Sequence, residues 1–174
     1  MAAHPVDQLV ALLALAREDV QSAAAGLDQA GSDRRPAPDH WTPGEVLDHL
    51  AQSEAGTVRV LRKLLRETPP DAPPDDALPD QRDRLAHAAV ADRSVRRGVP
   101  AAVAPRAGRP VETLFHELTR SRIELLDLAR QLHGRDLRGN TFPHPSLGPL
   151  DAYQWLLFVA QHEARHAAQL REAR

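Results

Sequence analysis

Proline decides where this chain can be helical. Its ring lacks the backbone N–H and collides with the preceding turn, so helix interiors exclude it. The chain has fifteen prolines, yet residues 6–27, 44–67, 111–132 and 150–170 contain none. Each of these stretches spaces its apolar residues three and four apart, which gathers them on one helical face. Leu9, Leu13, Ala16 and Val20 mark the first stretch, and Val46, Leu50, Val58, Leu61 and Leu65 the second. Leu114, Leu118, Leu125 and Ala129 mark the third, and Leu156, Val159, His166 and Leu170 the fourth. No segment shows the two-residue alternation of a strand between turn signals, and no internal repeat is visible. The fold class expected is therefore all-α, a four-helix bundle formed by one domain spanning residues 1–174.

Local signals sharpen the boundaries. The first helix is predicted over residues 5–27 and the second over residues 43–67. Thr42 can cap the second helix, Pro43 suits its first position, Glu45 can complete a capping box, and Trp41 and Val46 occupy the positions of a hydrophobic staple. The third helix is predicted over residues 111–132, with Gly134 as its stop, and the fourth from about Leu150 to near the C-terminus. Residues 68–80 hold five prolines and four aspartates, which neither helix nor sheet tolerates. Residues 81–97 could form a short, poorly amphipathic helix, and residues 98–110 are again rich in Pro and Gly. Helices two and three are thus joined by one long Pro-rich crossover of about forty residues, so simple up-and-down order is not forced. Residues 138–149 read as a loop.

Composition narrows the chemistry. The absence of cysteine removes disulfides, thiolate metal sites and cysteine nucleophiles, and it suits a reducing, cytoplasmic setting. A net charge of −2 offers no general attraction for nucleic acid, and 3% aromatic content argues against a base-stacking surface. No basic start leads into an apolar run and no eighteen apolar residues are consecutive, so neither a signal peptide nor a membrane span is expected.

The chemistry-bearing stretch is residues 158–170. His162 and His166 are four apart on a helix, so both rings leave one face and can reach one metal ion. His162-Glu163-Ala164-Arg165-His166 also matches the H-E-x-x-H pattern of zinc peptidases, in which the Glu is the general base. Those enzymes draw a third ligand from downstream, where this chain offers only Glu172, and they set the motif beneath a sheet. An upstream third ligand is the alternative, and His49, on the inward flank of the second helix, is the best candidate. Three imidazoles with one position left to water make an open, catalytic type of site. The bland reading makes His49 a hydrogen-bonded core histidine and leaves the other two on the helix surface. Glu163 is at most a candidate base, because it lies about 100° around the axis from His162 and would be expected in solvent.

At two blocks the chain resembles a known family. Trp41-Thr42-Pro43-Gly44-Glu45-Val46-Leu47-Asp48-His49-Leu50 opens the second helix. The other block runs from Phe142 through His144-Pro145 and Leu147-Gly148 to His162-x-x-x-His166-x-x-Gln169-Leu170. Both are similar to the DinB-like superfamily, which includes bacillithiol transferases and is related to mycothiol-dependent maleylpyruvate isomerases. The resemblance implies a four-helix bundle holding a divalent ion, Zn2+ or Ni2+, on His49, His162 and His166, with water completing the shell. It further implies a homodimer and a metal-dependent enzyme, a thiol S-transferase or hydrolase acting on a small molecule such as a low-molecular-weight thiol. A non-enzymatic, stress-associated metal-binding bundle is the alternative. Since the chain lacks cysteine, any thiol must come from outside.

Other residues carry weaker expectations. Trp41 reads as a core anchor in preference to a substrate platform, and His144 as a rigid loop residue or a pocket rim. Glu54 is a weak candidate partner of His49. His116 and His133 are expected to be solvated or to cap a helix end, and His4, His40 and His87 fall in no pattern.

Overall fold

The computed structural model describes residues 4–69, 80–95 and 98–173. Four long helices build a bundle: α1 (Pro5–Ala23), α3 (Pro43–Glu67), α4 (Val111–Arg130) and α5 (Ala152–Glu172), with a short α2 (Gln29–Asp33) after the first. The capping box predicted for α3 is formed, Glu45 N donating to Thr42 Oγ1 at 3.1 Å and Thr42 N to Glu45 Oε2 at 2.8 Å. A second box starts α5 two residues later than expected, through Asp151 and Gln154. Helix α4 follows Pro110 and takes its cap from a distance, as Gln29 Oε1 of α2 accepts from Val111 N at 2.9 Å. Gly44 lets α2 lie against the first turn of α3, since a Cβ there would stand 2.5 Å from Ser32 Oγ. Helix α1 ends four residues early, in a turn that closes on Gly26 at φ +73°.

Two expectations are corrected. Residues 138–149 are not simply a loop: β1 (Thr141–His144) and β2 (Gly148–Asp151) form an antiparallel hairpin, pairing Thr141 with Asp151 and His144 with Gly148. Pro143 and Pro149 face each other in that register, where neither strand needs an N–H. Four-residue strands studded with proline carry no alternation to read. The helix entertained over residues 81–97 is replaced by turns and a 3-10 turn, Ala86–Ala88, with residues 96–97 outside the described set. Residues 70–79 of the Pro-rich stretch also lie outside it.

Polar pairs reveal the helix directions. Arg17 with Glu163 and Asp19 with Arg171 advance together, so α1 and α5 are parallel. Glu54 with Arg122 and Arg62 with Glu124 advance together, so α3 and α4 are parallel as well. Arg17 meets the Leu118 carbonyl and Arg122 the Leu13 carbonyl, which sets α1 antiparallel to α4. Two consecutive long helices that run parallel need a connection travelling back a full helix length, roughly 37 Å for α3 at 1.5 Å per residue. That is the work of the crossover.

The apolar core is split into two clusters. One contains Leu9, Leu13, Leu61, Leu125 and Leu156, the other Val20, Val46, Leu50, Leu114 and Leu170. Between them each long helix contributes one charged residue: Arg17, Glu54, Arg122 and Glu163, all buried. Among the described residues no helix is long and apolar enough to cross a membrane.

Candidate metal centre

His49 lies near the start of α3 and the two closing histidines in the C-terminal half of α5, and the antiparallel packing of these helices brings the three together. His162 Nε2 stands 3.1 Å from His49 Nε2 and 3.1 Å from His166 Nε2. Two of the rings are held by their other nitrogen. His49 Nδ1 is 2.7 Å from the Val103 carbonyl, which can only accept, so Nδ1 carries the proton and Nε2 presents its lone pair. His166 Nδ1 likewise lies 2.8 Å from Gln169 Oε1. Gln169, three residues beyond His166 in the closing motif, thus has a role as tautomer lock.

Burial pushes the His49 imidazole below its ordinary value, against the pull of the Val103 hydrogen bond. Burial and the neighbouring imidazoles push His162 well down, and burial with His49 nearby brings His166 down to about 3. All three rings are therefore neutral near pH 7, the form that coordinates metal. Three nitrogens held at about 2.0–2.1 Å by a tetrahedral ion would stand roughly 3.3 Å apart. The donor set fits. Among the described residues no fourth histidine or carboxylate joins the cluster, and the three rings border a cavity of about 820 Å³.

The cavity wall is partly aromatic. Trp41 lies nearly parallel to His166, 7° between planes and 6.0 Å between centroids, and 5.0 Å from His49. Although it also packs on the core, as expected, it is one wall of the site. Phe158 stacks on His162 at 5.0 Å, and His144 of the hairpin packs edge-on against Phe158 at 4.4 Å. His144 thereby takes the rim position considered from the sequence.

Glu163 turns the other way. Expected in solvent, it is 2% exposed and sits in the charged layer of the bundle. Arg17 Nε donates to its Oε1 at 2.8 Å and Arg122 donates to its Oε2 at 2.6 Å. Glu54 accepts from Arg122 Nε at 2.6 Å and from Ser121 Oγ at 2.9 Å, so it belongs to this network and not to His49. Burial raises the Glu163 pKa while the two guanidinium groups oppose it. Sequence reasoning missed Arg17 and Arg122. The readable sign was a charged residue at a core-facing position, Arg17 between Leu13 and Val20, and Arg122 between Leu118 and Leu125.

The crossover completes the centre. Asp48, fully buried, accepts from Arg106 N at 2.8 Å, from Arg109 at 2.8 Å and from Gln52 at 2.7 Å. Burial would raise its pKa, but the hydrogen bonds from Arg106 and Arg109 prevail and lower it. This clamp holds the returning chain on α3, where the 3-10 turn Ala101–Val103 delivers its carbonyl to His49. Among the other histidines, His133 bonds Asp7 at 3.1 Å and His4 Nδ1 accepts from Val6 N at the start of α1. His116 is exposed.

Known proteins share this plan. The sequence model of the DinB superfamily matches residues 12–170. YuaE of Bacillus subtilis strain 168, itself described as uncharacterized, is 27% identical over 161 residues, covering 90% of this chain and 91% of YuaE. The crystal structure of TT2238, described as a four-helix bundle protein, superposes with a TM-score of 0.60 at 27% identity, over 95% of this chain and 96% of that one.

Proposed function

The chain belongs to the DinB superfamily, and on that premise we propose that it is a metal-dependent enzyme, a thiol S-transferase or a hydrolase, holding one divalent ion on His49, His162 and His166. The observation that carries this reading is the meeting of three neutral imidazoles on the wall of a cavity, His162 Nε2 standing 3.1 Å from each of the other two. Zinc or nickel suits such donors. When bound, the ion would lower the pKa of a water or small thiol, so that a nucleophile exists near neutral pH. The chain's own residues do the rest. Val103 and Gln169 hold two rings in the coordinating tautomer, and Trp41 and Phe158 keep the rings from rotating. The cavity admits a small molecule and brings it beside the centre. A fourth protein ligand would indicate a structural ion, and among the described residues none joins the three.

Elemental analysis tests the reading. Purified protein is expected to carry one Zn2+ or Ni2+ per chain, and His49→Ala to carry less than a tenth of that. Protein without stoichiometric metal, or a His49→Ala variant equal to its parent, would sink the proposal.

The clamp gives a smaller expectation. Asp48→Asn loosens the segment that presents the Val103 carbonyl and should weaken metal binding about tenfold, the lower end for loss of an outer partner. Competition against a chelator measures it. Unchanged affinity would show that the crossover does not support the centre.

A further inference from the structure

Helix α3 presents His49, Ser53, Gly56, Val60 and Lys63 to the cavity, the spacing of a single helical stripe. A glycine in a helix interior weakens the helix relative to alanine, yet Gly56 stands at the middle of α3. The space above it is used. Arg59 Nη2 lies 3.7 Å from where a Gly56 Cβ would be, so the guanidinium folds back along the helix towards His49 instead of reaching outward. Gly56 is seven residues from His49, about 10 Å along the axis.

Arg59 differs from the other basic residues on this wall. Lys63 pairs with Glu67, Arg93 with Glu172, and Arg165 donates to the carbonyls of Asp92 and Val95. Arg59 makes no hydrogen bond or ion pair among the described residues. The same cavity is walled by Phe142, Trp155 and Phe158, and Phe158 reaches the centre itself by stacking on His162. A molecule spanning from Arg59 to the histidines therefore meets a cation at one end and lies in a cavity whose largely apolar wall carries these rings.

We propose that Arg59 is the specificity-determining residue of this cavity. The substrate is then an elongated organic anion, with a carboxylate or phosphate separated by an apolar segment from the group that reaches the three histidines. This rests on the reading of the cavity as a substrate site.

Calorimetric titration of metal-free protein with octanoate, octyl phosphate, octanol and octylamine tests it, since no ion is then present to capture the anion. Octanoate or octyl phosphate is expected to bind at least tenfold more tightly than octanol or octylamine. The tighter of the two identifies the acid as carboxylate or phosphate ester. Arg59→Gln should remove that advantage and leave octanol unchanged, while Arg66→Gln, on the same helix but off the cavity wall, should change nothing. Both positions are exposed, so neither variant threatens folding. Anion binding untouched by Arg59→Gln, or octylamine binding as tightly as octanoate, would overturn the inference. Metal content is measured separately on the protein as purified, so a parent protein that carries stoichiometric metal but shows no anion preference after metal removal refutes Arg59 alone. Anion preference without stoichiometric metal refutes the metal centre alone.

Discussion

Glu163→Ala is expected to destabilise the protein by about 3–5 kcal/mol, the range for removing one member of a buried, hydrogen-bonded charge pair. Two guanidinium groups and two carboxylates balance in the charged layer, and each long helix supplies one of them. Removing one carboxylate leaves Arg17 and Arg122 sharing Glu54, with a net positive charge out of reach of water. Urea denaturation measures the effect. A domain's whole stability is typically about 5–15 kcal/mol, so the alanine variant could fall below the folding threshold. Glu163→Gln, which preserves shape and one acceptor, then provides a milder second reading in the same direction. The four residues act as a unit, so Glu54→Ala added to Glu163→Ala should cost less than the sum of the single changes. A loss under about 1 kcal/mol for Glu163→Ala would refute the structural assignment. A general base of the peptidase kind would behave differently, losing activity while keeping stability.

Metal loading should produce the second large effect. The proposed ligands come from α3 and α5, so an ion bound by all three ties two helices together and stabilises the folded state alone. At a free metal concentration a thousand times Kd, the gain is about 4 kcal/mol. For a chain of this size each kcal/mol raises Tm by about 2–4 °C, which places the expected shift at about 8–16 °C. Differential scanning calorimetry with and without chelator measures it. His162→Ala should abolish the shift, because its Nε2 is the one near both of the others. An equal shift in His162→Ala would place the stabilising ion elsewhere.

Much of the bundle was legible because it rests on local rules. Proline is excluded from helix interiors, Thr42 and Glu45 cap α3 within one turn, and apolar residues at helical spacing must bury one face. The hairpin was not legible, since its strands are four residues long and carry prolines in place of an alternating pattern. The centre was legible in part. His162 and His166 share a face by helical geometry alone, whereas His49 entered as a candidate by elimination and by family resemblance.

Glu163 shows where local reading ends. Its angle from His162 says only that it leaves the ligand face. Whether that direction meets water or protein depends on a neighbour, and here α1 and α4 supply two guanidinium groups there. The Val103 carbonyl on His49 is a similar case, set by a crossover whose path no periodicity records. Sequence by itself determined the helices, their caps and the shared face of two histidines, because those follow from contacts within a few residues. Tertiary structure alone decided that His49 actually meets the other two rings, which carboxylate is buried and what lies across the cavity, because those depend on groups from 37 to 146 residues apart.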